Sequence, residues 1–168
     1  MKQIGIISDT HSYLDDAVFK FFEDCDEIWH AGDFGNASVV ERLAAFKPLK
    51  GVYGNIDGTE IRQLFPLSLR WKCEDISVMM THIGGYPGKY APGIKKQLAT
   101  TPTQLFICGH SHIVKVMFDE QLNCLHINPG AAGKEGWHHI RTLVRIKIEG
   151  NRIFDCEVIE LGKRASLQ

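Results

Sequence analysis

The sequence predicts an α/β fold in which parallel strands carry helices on their outer face. Two patterns support it: short apolar runs alternate with helical periodicity through the first half, and strand signals separated by turns dominate the second. Ile4 to Ile7 form a β-branched run that ends at Ser8-Asp9. Leu14, Ala17, Val18, Phe21 and Phe22 then recur at the spacing that gathers apolar groups on one helix face, with Ser12 and Asp15 read as the cap. Ile28-Trp29 lead to Gly32-Asp33, and a second helical pattern on Val39, Val40, Leu43 and Ala44 stops at Pro48. Leu49 to Tyr53 make a third apolar run.

In the second half, Leu67 to Trp71 and Ile76 to Met80 read as strands joined by a turn. Glycine-rich Ile83 to Gly93 reads as a long loop before a short helix over Lys95 to Ala99. Leu105 to Cys108 are another buried run. Ile113 to Phe118 and Leu122 to Ile127 flank Asp119-Glu120-Gln121 as a hairpin. Ile140, Thr142, Val144, Ile146 and Ile148 alternate with charged residues at the period of a half-buried strand, and Gly150-Asn151 signals a hairpin turn.

A chain of 168 residues buries enough surface to fold as one domain, expected here over residues 1–168. With 44% hydrophobic and 23% charged residues it falls outside the charge-rich composition of disordered chains. A formal net charge of -1 exerts no global pull on nucleic acid or anionic membrane, so extended nucleic-acid binding is not expected. No apolar stretch approaches a membrane span, and the amino terminus carries no secretory signal. Cys25, Cys73, Cys108, Cys124 and Cys156 are odd in number and scattered, which reads as reduced, packed thiols in a cytoplasmic protein.

Metal-type side chains occupy one kind of position. Asp9 and His11 follow the first apolar run, Asp33 the second, Asn55 the third, His82 the run ending at Met80, and His110 and His112 the run ending at Cys108. Each lies past the carboxyl end of a predicted strand, the edge at which α/β sheets bind ligands. Taken singly, an Asp or His there is more often a cap or turn former. Seven of them at the ends of five such runs are poorly explained by independent capping.

Imidazoles and carboxylates without nearby thiolates suit catalytic Mn, Fe, Co, Ni or Zn rather than a structural zinc cluster. Two such ions, about 3.5–4 Å apart, share a carboxylate and a hydroxide and stabilise an in-line displacement at phosphorus.

The ordered motifs Asp9-Thr10-His11, Gly32-Asp33, Gly54-Asn55-Ile56-Asp57, Thr81-His82, Gly109-His110-Ser111-His112 and Asn128-Pro129-Gly130 resemble the calcineurin-like metallophosphoesterases. Within that family the chain is most similar to the small bacterial and archaeal phosphodiesterase branch. The resemblance implies a four-layer sandwich, two mixed β-sheets face to face with helices outside, and a small homo-oligomer. It implies that Asp9, His11 and His112 hold one divalent ion, that Asn55, His82 and His110 hold the other, and that Asp33 bridges them. The implied activity is hydrolysis of a small phosphodiester by a metal-bridging hydroxide, with Asp33, Asn55 and His82 as the catalytic set. Two departures stand out: Ile56 replaces the His that larger relatives place after the metal-binding Asn, and Ile83-Gly84-Gly85-Tyr86 replaces a second His that some small relatives carry.

Asp57 reads as a residue that orients Asn55, acts near the leaving group, or caps the next helix. His30 and His126 read as structural. His138 and His139, adjacent on an extended segment, face opposite ways and cannot share an ion. Lys89, Lys134, Arg141, Tyr86, Tyr90 and Trp137 are candidate substrate contacts. The rival reading from another class is a non-catalytic scaffold for protein partners, whose mark would be lost ligands; none of the seven is lost.

Overall fold

The computed structural model of the protein describes residues 1–165. Its elements in chain order are β1 (Lys2–Ile7), α1 (Ala17–Phe21), β2 (Glu27–His30), α2 (Ala37–Phe46), β3 (Leu49–Gly51), α3 (Thr59–Leu64), β4 (Ser68–Cys73) and β5 (Ile76–Thr81). There follow β6 (Gly85–Tyr86), β7 (Lys89–Tyr90), α4 (Ile94–Thr100), β8 (Leu105–Ile107), β9 (Val114–Asp119), β10 (Cys124–Pro129), β11 (Ile140–Glu149) and β12 (Arg152–Lys163).

Strand alternation decides which side chains meet, because successive residues point to opposite faces. Ile4 and Ile6 of β1, Trp29 of β2 and Val144, Ile146 and Ile148 of β11 turn toward Ile76, Val78 and Met80 of β5 and Leu105 and Ile107 of β8, forming the space between two sheets. Their neighbours Ile7, Ile28 and Leu143 turn the other way and meet Val18, Val39 and Leu43 from α1 and α2. Met79 and Phe106 leave the second sheet on its outer face and meet Ile94 and Leu98 of α4. Three apolar spaces separate four layers: helices, sheet, sheet, helix. The expected sandwich is present.

The first sheet runs β12-β11-β1-β2-β3 and the second β4-β5-β8-β10-β9. Both are mixed. β1, β2 and β3 are parallel, while β11 runs antiparallel to β1 and β12 to β11. In the second sheet β5, β8 and β10 are parallel, and β4 and β9 are antiparallel edges. The parallel strands send their carboxyl ends to one rim of each sheet, and the loops that leave those ends carry the predicted metal-type residues.

Several local expectations need correction. α1 is a five-residue helix with no side-chain cap, so the paired Ser12/Asp15 cap does not form. Asp15 accepts from the Ala17 N–H at 2.9 Å, whereas Ser12 Oγ accepts from the Asn36 N–H at 3.0 Å and ties two loops together. Leu14 is buried in the same apolar cluster but precedes the helix. The stretch Ile83 to Gly93 contains a two-stranded ribbon, β6 against β7. Cys156 is exposed on β12, unlike the other four cysteines, because that edge strand has an open face.

Candidate metal centre

The loops after β1, β2, β3, β5 and β8 bring all seven predicted residues to one place. Asp9, His11 and His112 gather ligand-type atoms within 4.8 Å of one another, and so do Asp9, Asp33 and His82. Asn55 and His110 complete the cluster on its exposed side: Asn55 Oδ1 lies 3.1 Å from His110 Nδ1, and the His110 and His82 rings are 5.3 Å apart.

Each buried carboxylate divides its oxygens between the fold and the site. Asp9 Oδ2 accepts from Ser8 Oγ at 2.6 Å and from the His110 N–H at 3.1 Å. Its Oδ1 is left to face His112 Nε2 at 3.1 Å, with His11 and His82 Nε2 each at 3.8 Å. Asp33 repeats the arrangement. Its Oδ1 accepts from the Ile56 N–H at 3.0 Å, and Oδ2 faces His82 Nε2 at 3.1 Å and His11 Nε2 at 3.4 Å. His82 is set the same way: its Nδ1 bonds the Ala31 carbonyl at 2.8 Å, so the proton sits there and the Nε2 lone pair points into the cluster.

Asp9 Oδ1, His11 Nε2 and His82 Nε2 are buried and have no hydrogen bond of acceptable geometry. Three such atoms converging on one point are what a cation site requires and what a finished core avoids. The donor set of carboxylates, imidazoles and one amide oxygen therefore fits a divalent metal centre.

The electrostatics agree. Burial works against ionisation of Asp33, but the facing His11 and His82 imidazoles outweigh it and hold the carboxyl well below the usual carboxylate range. Asp9 behaves likewise, with burial opposed by His11 and His112. The Asp33 carboxylate, followed by Asp9, pushes His11 up to about 9. For His82, burial favours the neutral form, yet the same carboxylates win and raise it. Two buried carboxylates draw positive charge to this spot.

Backbone strain is concentrated here. Asp9, His11, Asp33, His110 and His112, five of the seven, adopt φ between 43° and 72°, a left-handed conformation that costs a non-glycine residue about 1–3 kcal/mol. Two glycines make room. Gly32 has φ 104°, and a Cβ on it would come within 2.6 Å of His82 Nδ1; a Cβ on Gly54 would collide with the Asp33 carboxylate. Strain at the predicted ligand positions marks a site held in shape by its surroundings.

Asp57 does something the sequence did not show. It neither orients Asn55 nor caps α3, whose cap residue is Gly58. Its buried carboxylate accepts from the N–H groups of Asp33 (3.0 Å), Phe34 (3.3 Å), Gly35 (3.0 Å) and Gly54 (2.9 Å), pinning the loops that carry Asp33 and Asn55 to each other. His30 is structural, as expected: it is fully buried, accepts from the Gly32 N–H and stacks on Phe34, and burial pushes its pKa down to about 3. His138 is buried against the His112 ring at 5.2 Å and bonds the Gly133 carbonyl, while His139 is exposed, so the two do face apart. Arg141 is not a substrate contact. It is buried and bonded to Asp15, Leu161 O and Lys163 O.

Sandwich and cluster together define a metallophosphoesterase type of protein. The family model of the calcineurin-like phosphoesterase superfamily domain matches residues 1–151, and the chain belongs to that family. It is 29% identical over 167 residues to a probable metallophosphoesterase of Methanothermobacter thermautotrophicus, covering 95% of this chain and 92% of that one. Among solved structures, Vps29 of Chaetomium thermophilum superposes with a TM-score of 0.75 at 15% identity, covering 97% of this chain and 100% of the other. Wild-type Vps29 of Entamoeba histolytica complexed with zinc gives 0.72 at 12% identity, covering 94% and 98%. These two likenesses concern the fold. Among the described residues, no helix is long and apolar enough to cross a membrane.

Proposed function

We propose that the chain is a cytoplasmic phosphodiesterase working with two divalent ions drawn from Mn, Fe, Co, Ni and Zn. The observation that carries this is the convergence of Asp9 Oδ1, His11 Nε2 and His82 Nε2, buried together without partners. Left so, each costs about 1–3 kcal/mol, and a cation removes that cost. Asp9, His11 and His112 would hold one ion and Asn55, His82 and His110 the other. Asp33 would bridge, as supported by its Oδ2 facing both His11 and His82.

When bound, a pair of divalent ions supplies Lewis-acid stabilisation of phosphoryl charge and a water of lowered pKa. The chain's own groups fix the geometry. Ser8 and the His110 N–H hold one Asp9 oxygen, the Ile56 N–H holds one Asp33 oxygen, and the Ala31 carbonyl holds the His82 ring. Asn55 and His110 stand on the solvent side, where a substrate arrives. Ile56, 46% exposed beside Asn55, offers no proton to a departing alkoxide, so ester groups that leave as stable anions are favoured.

The test is turnover of bis(4-nitrophenyl) phosphate and of 4-nitrophenyl phosphate by protein loaded separately with each of these metals. Diester hydrolysis that disappears with chelator and returns with metal is the expected result. A full metal load without turnover of either ester would favour the scaffold reading instead.

A further inference from the structure

A groove of 390 Å³ runs from Asn55 and His82 toward α3 and β4 and is bordered farther out by Arg62, Leu67, Ile83 and Gln97. Its volume lies within the range of roughly 300–1,000 Å³ common for small-molecule sites. The walls specify what fits. Leu67 and Ile83 are 60% and 46% exposed, apolar surface that an organic group would cover. Arg62 is the one Arg, Lys, Asp or Glu bordering the groove among the described residues, so no carboxylate opposes it there.

Arg62 is held at its root and open at its tip. Its Nε donates to the Asp57 carbonyl at 2.7 Å, and its guanidinium lies 4.5 Å from the Tyr53 ring centroid. Among the described residues its terminal nitrogens meet no carboxylate, whereas Arg42, Arg141 and Arg145 are paired at 3.1, 2.8 and 3.0 Å. Asp57 also pins the Asp33 and Gly54 loops, so the guanidinium is fixed relative to the metal-type cluster. A guanidinium fork whose stem is fixed presents paired N–H donors that match a carboxylate or phosphate.

We propose that this groove seats one ester group of the substrate and that Arg62 pairs with a second negative charge on that group. The inference rests on the phosphodiesterase reading above. It narrows the substrate class to phosphodiesters in which an apolar or planar ester group carries a further carboxylate or phosphate. Arg62 is then a specificity residue, seven positions along the chain from Asn55.

The probes are bis(4-nitrophenyl) phosphate, which has no further charge, and bis(4-carboxyphenyl) phosphate, which has one on each ester group. kcat and KM are measured on both for wild type, Arg62→Ala and Arg62→Lys, and the Kd of the carboxyl probe by calorimetry. Dividing each variant by wild type cancels the probes' different intrinsic reactivity. Arg62→Ala should lose roughly tenfold or more on the carboxyl probe beyond its loss on the nitro probe, with the excess in KM and Kd. Arg62→Lys keeps the charge and should recover part of it. Equal losses on the two probes would overturn the proposal, since Arg62 would then serve the scissile phosphoryl group or the fold alone. An unchanged Kd for the carboxyl probe in Arg62→Ala would overturn it too. Should wild type cleave neither ester, the phosphodiesterase reading fails, and the Kd comparison still decides whether the groove takes the anion.

Discussion

The two ends of the first sheet each bury a carboxylate and treat it in opposite ways. At the start of β2, Glu27 is 8% exposed and accepts from Lys2 Nζ at 2.6 Å and from Trp29 Nε1 and Lys50 Nζ at 2.9 Å. Every strong partner it needs is supplied by the chain. At the other end, past β1, Asp9 is fully buried, its Oδ1 accepts nothing, and His11 and His82 bring Nε2 atoms that are equally unmatched. A buried polar group with its partners in place belongs to the fold, and one left short belongs to whatever the fold binds. The difference shows in the backbone as well. Asp9, His11 and Asp33 sit at positive φ, while Glu27 lies in a regular strand.

Substitution at the unmatched end should give the largest effect. Asp33→Asn removes the charge that faces both histidines, so kcat/KM on an aryl diester should fall by at least ~100-fold, the upper range for losing even a supporting partner of a metal ligand. Bound metal should fall with it, and far-UV circular dichroism should stay that of wild type. Wild-type rate and metal content in Asp33→Asn would sink the bridging role.

Asp57 tests the border between the two behaviours, because it is fully matched yet lies beside the unmatched group. Asp57→Ala strands the N–H groups of Asp33, Phe34, Gly35 and Gly54. Unfolding in urea should show a loss of about 2–4 kcal/mol, accompanied by weaker metal binding. Asp57→Asn keeps one carbonyl acceptor and should lose less. A stability change below roughly 0.5 kcal/mol would mean that water satisfies those donors and that the carboxylate does not hold the loops.

The contrast also marks what could be read from sequence. Asp9, His11, Asp33, Asn55, His82, His110 and His112 were legible because side-chain type and position after an apolar run are local properties. The two-sheet sandwich followed from the motif resemblance, whereas the alternation of runs predicted only parallel strands with helices outside. Asp57 was not legible: four N–H groups from two stretches of chain, 33–35 and Gly54, converge on it, and only tertiary structure brings them there. Nothing in the sequence singled out Arg62, since the absence of an opposing carboxylate is a fact of packing. The paired cap misled because Ser12 found Asn36 across a loop, while Asp15 divides its oxygens between the Ala17 N–H at the start of α1 and Arg141 at 2.8 Å.

The smallest expected effect lies at the matched end. Glu27→Gln leaves the strand intact but weakens its two lysine contacts, which are partly solvated, so a loss of about 1–3 kcal/mol is expected at pH 7. kcat/KM per bound metal should not change, because Glu27 lies at the opposite end of the strands from the cluster. The pH dependence has a defined sign. Burial raises the Glu27 carboxyl, but Lys2, Trp29 and Lys50 overcome it and bring its pKa down to about 2 from an ordinary 4.5. A folded-state pKa below the unfolded value contributes stability that is complete above about 4.5 and is lost as pH falls through about 2. The gap in unfolding free energy between wild type and Glu27→Gln should therefore be full at pH 7, begin to close below pH 4.5, and be nearly gone near pH 2. A gap of constant size across that range would show that shape rather than charge holds this end of the sheet together, and the two ends would then differ less than their partners suggest.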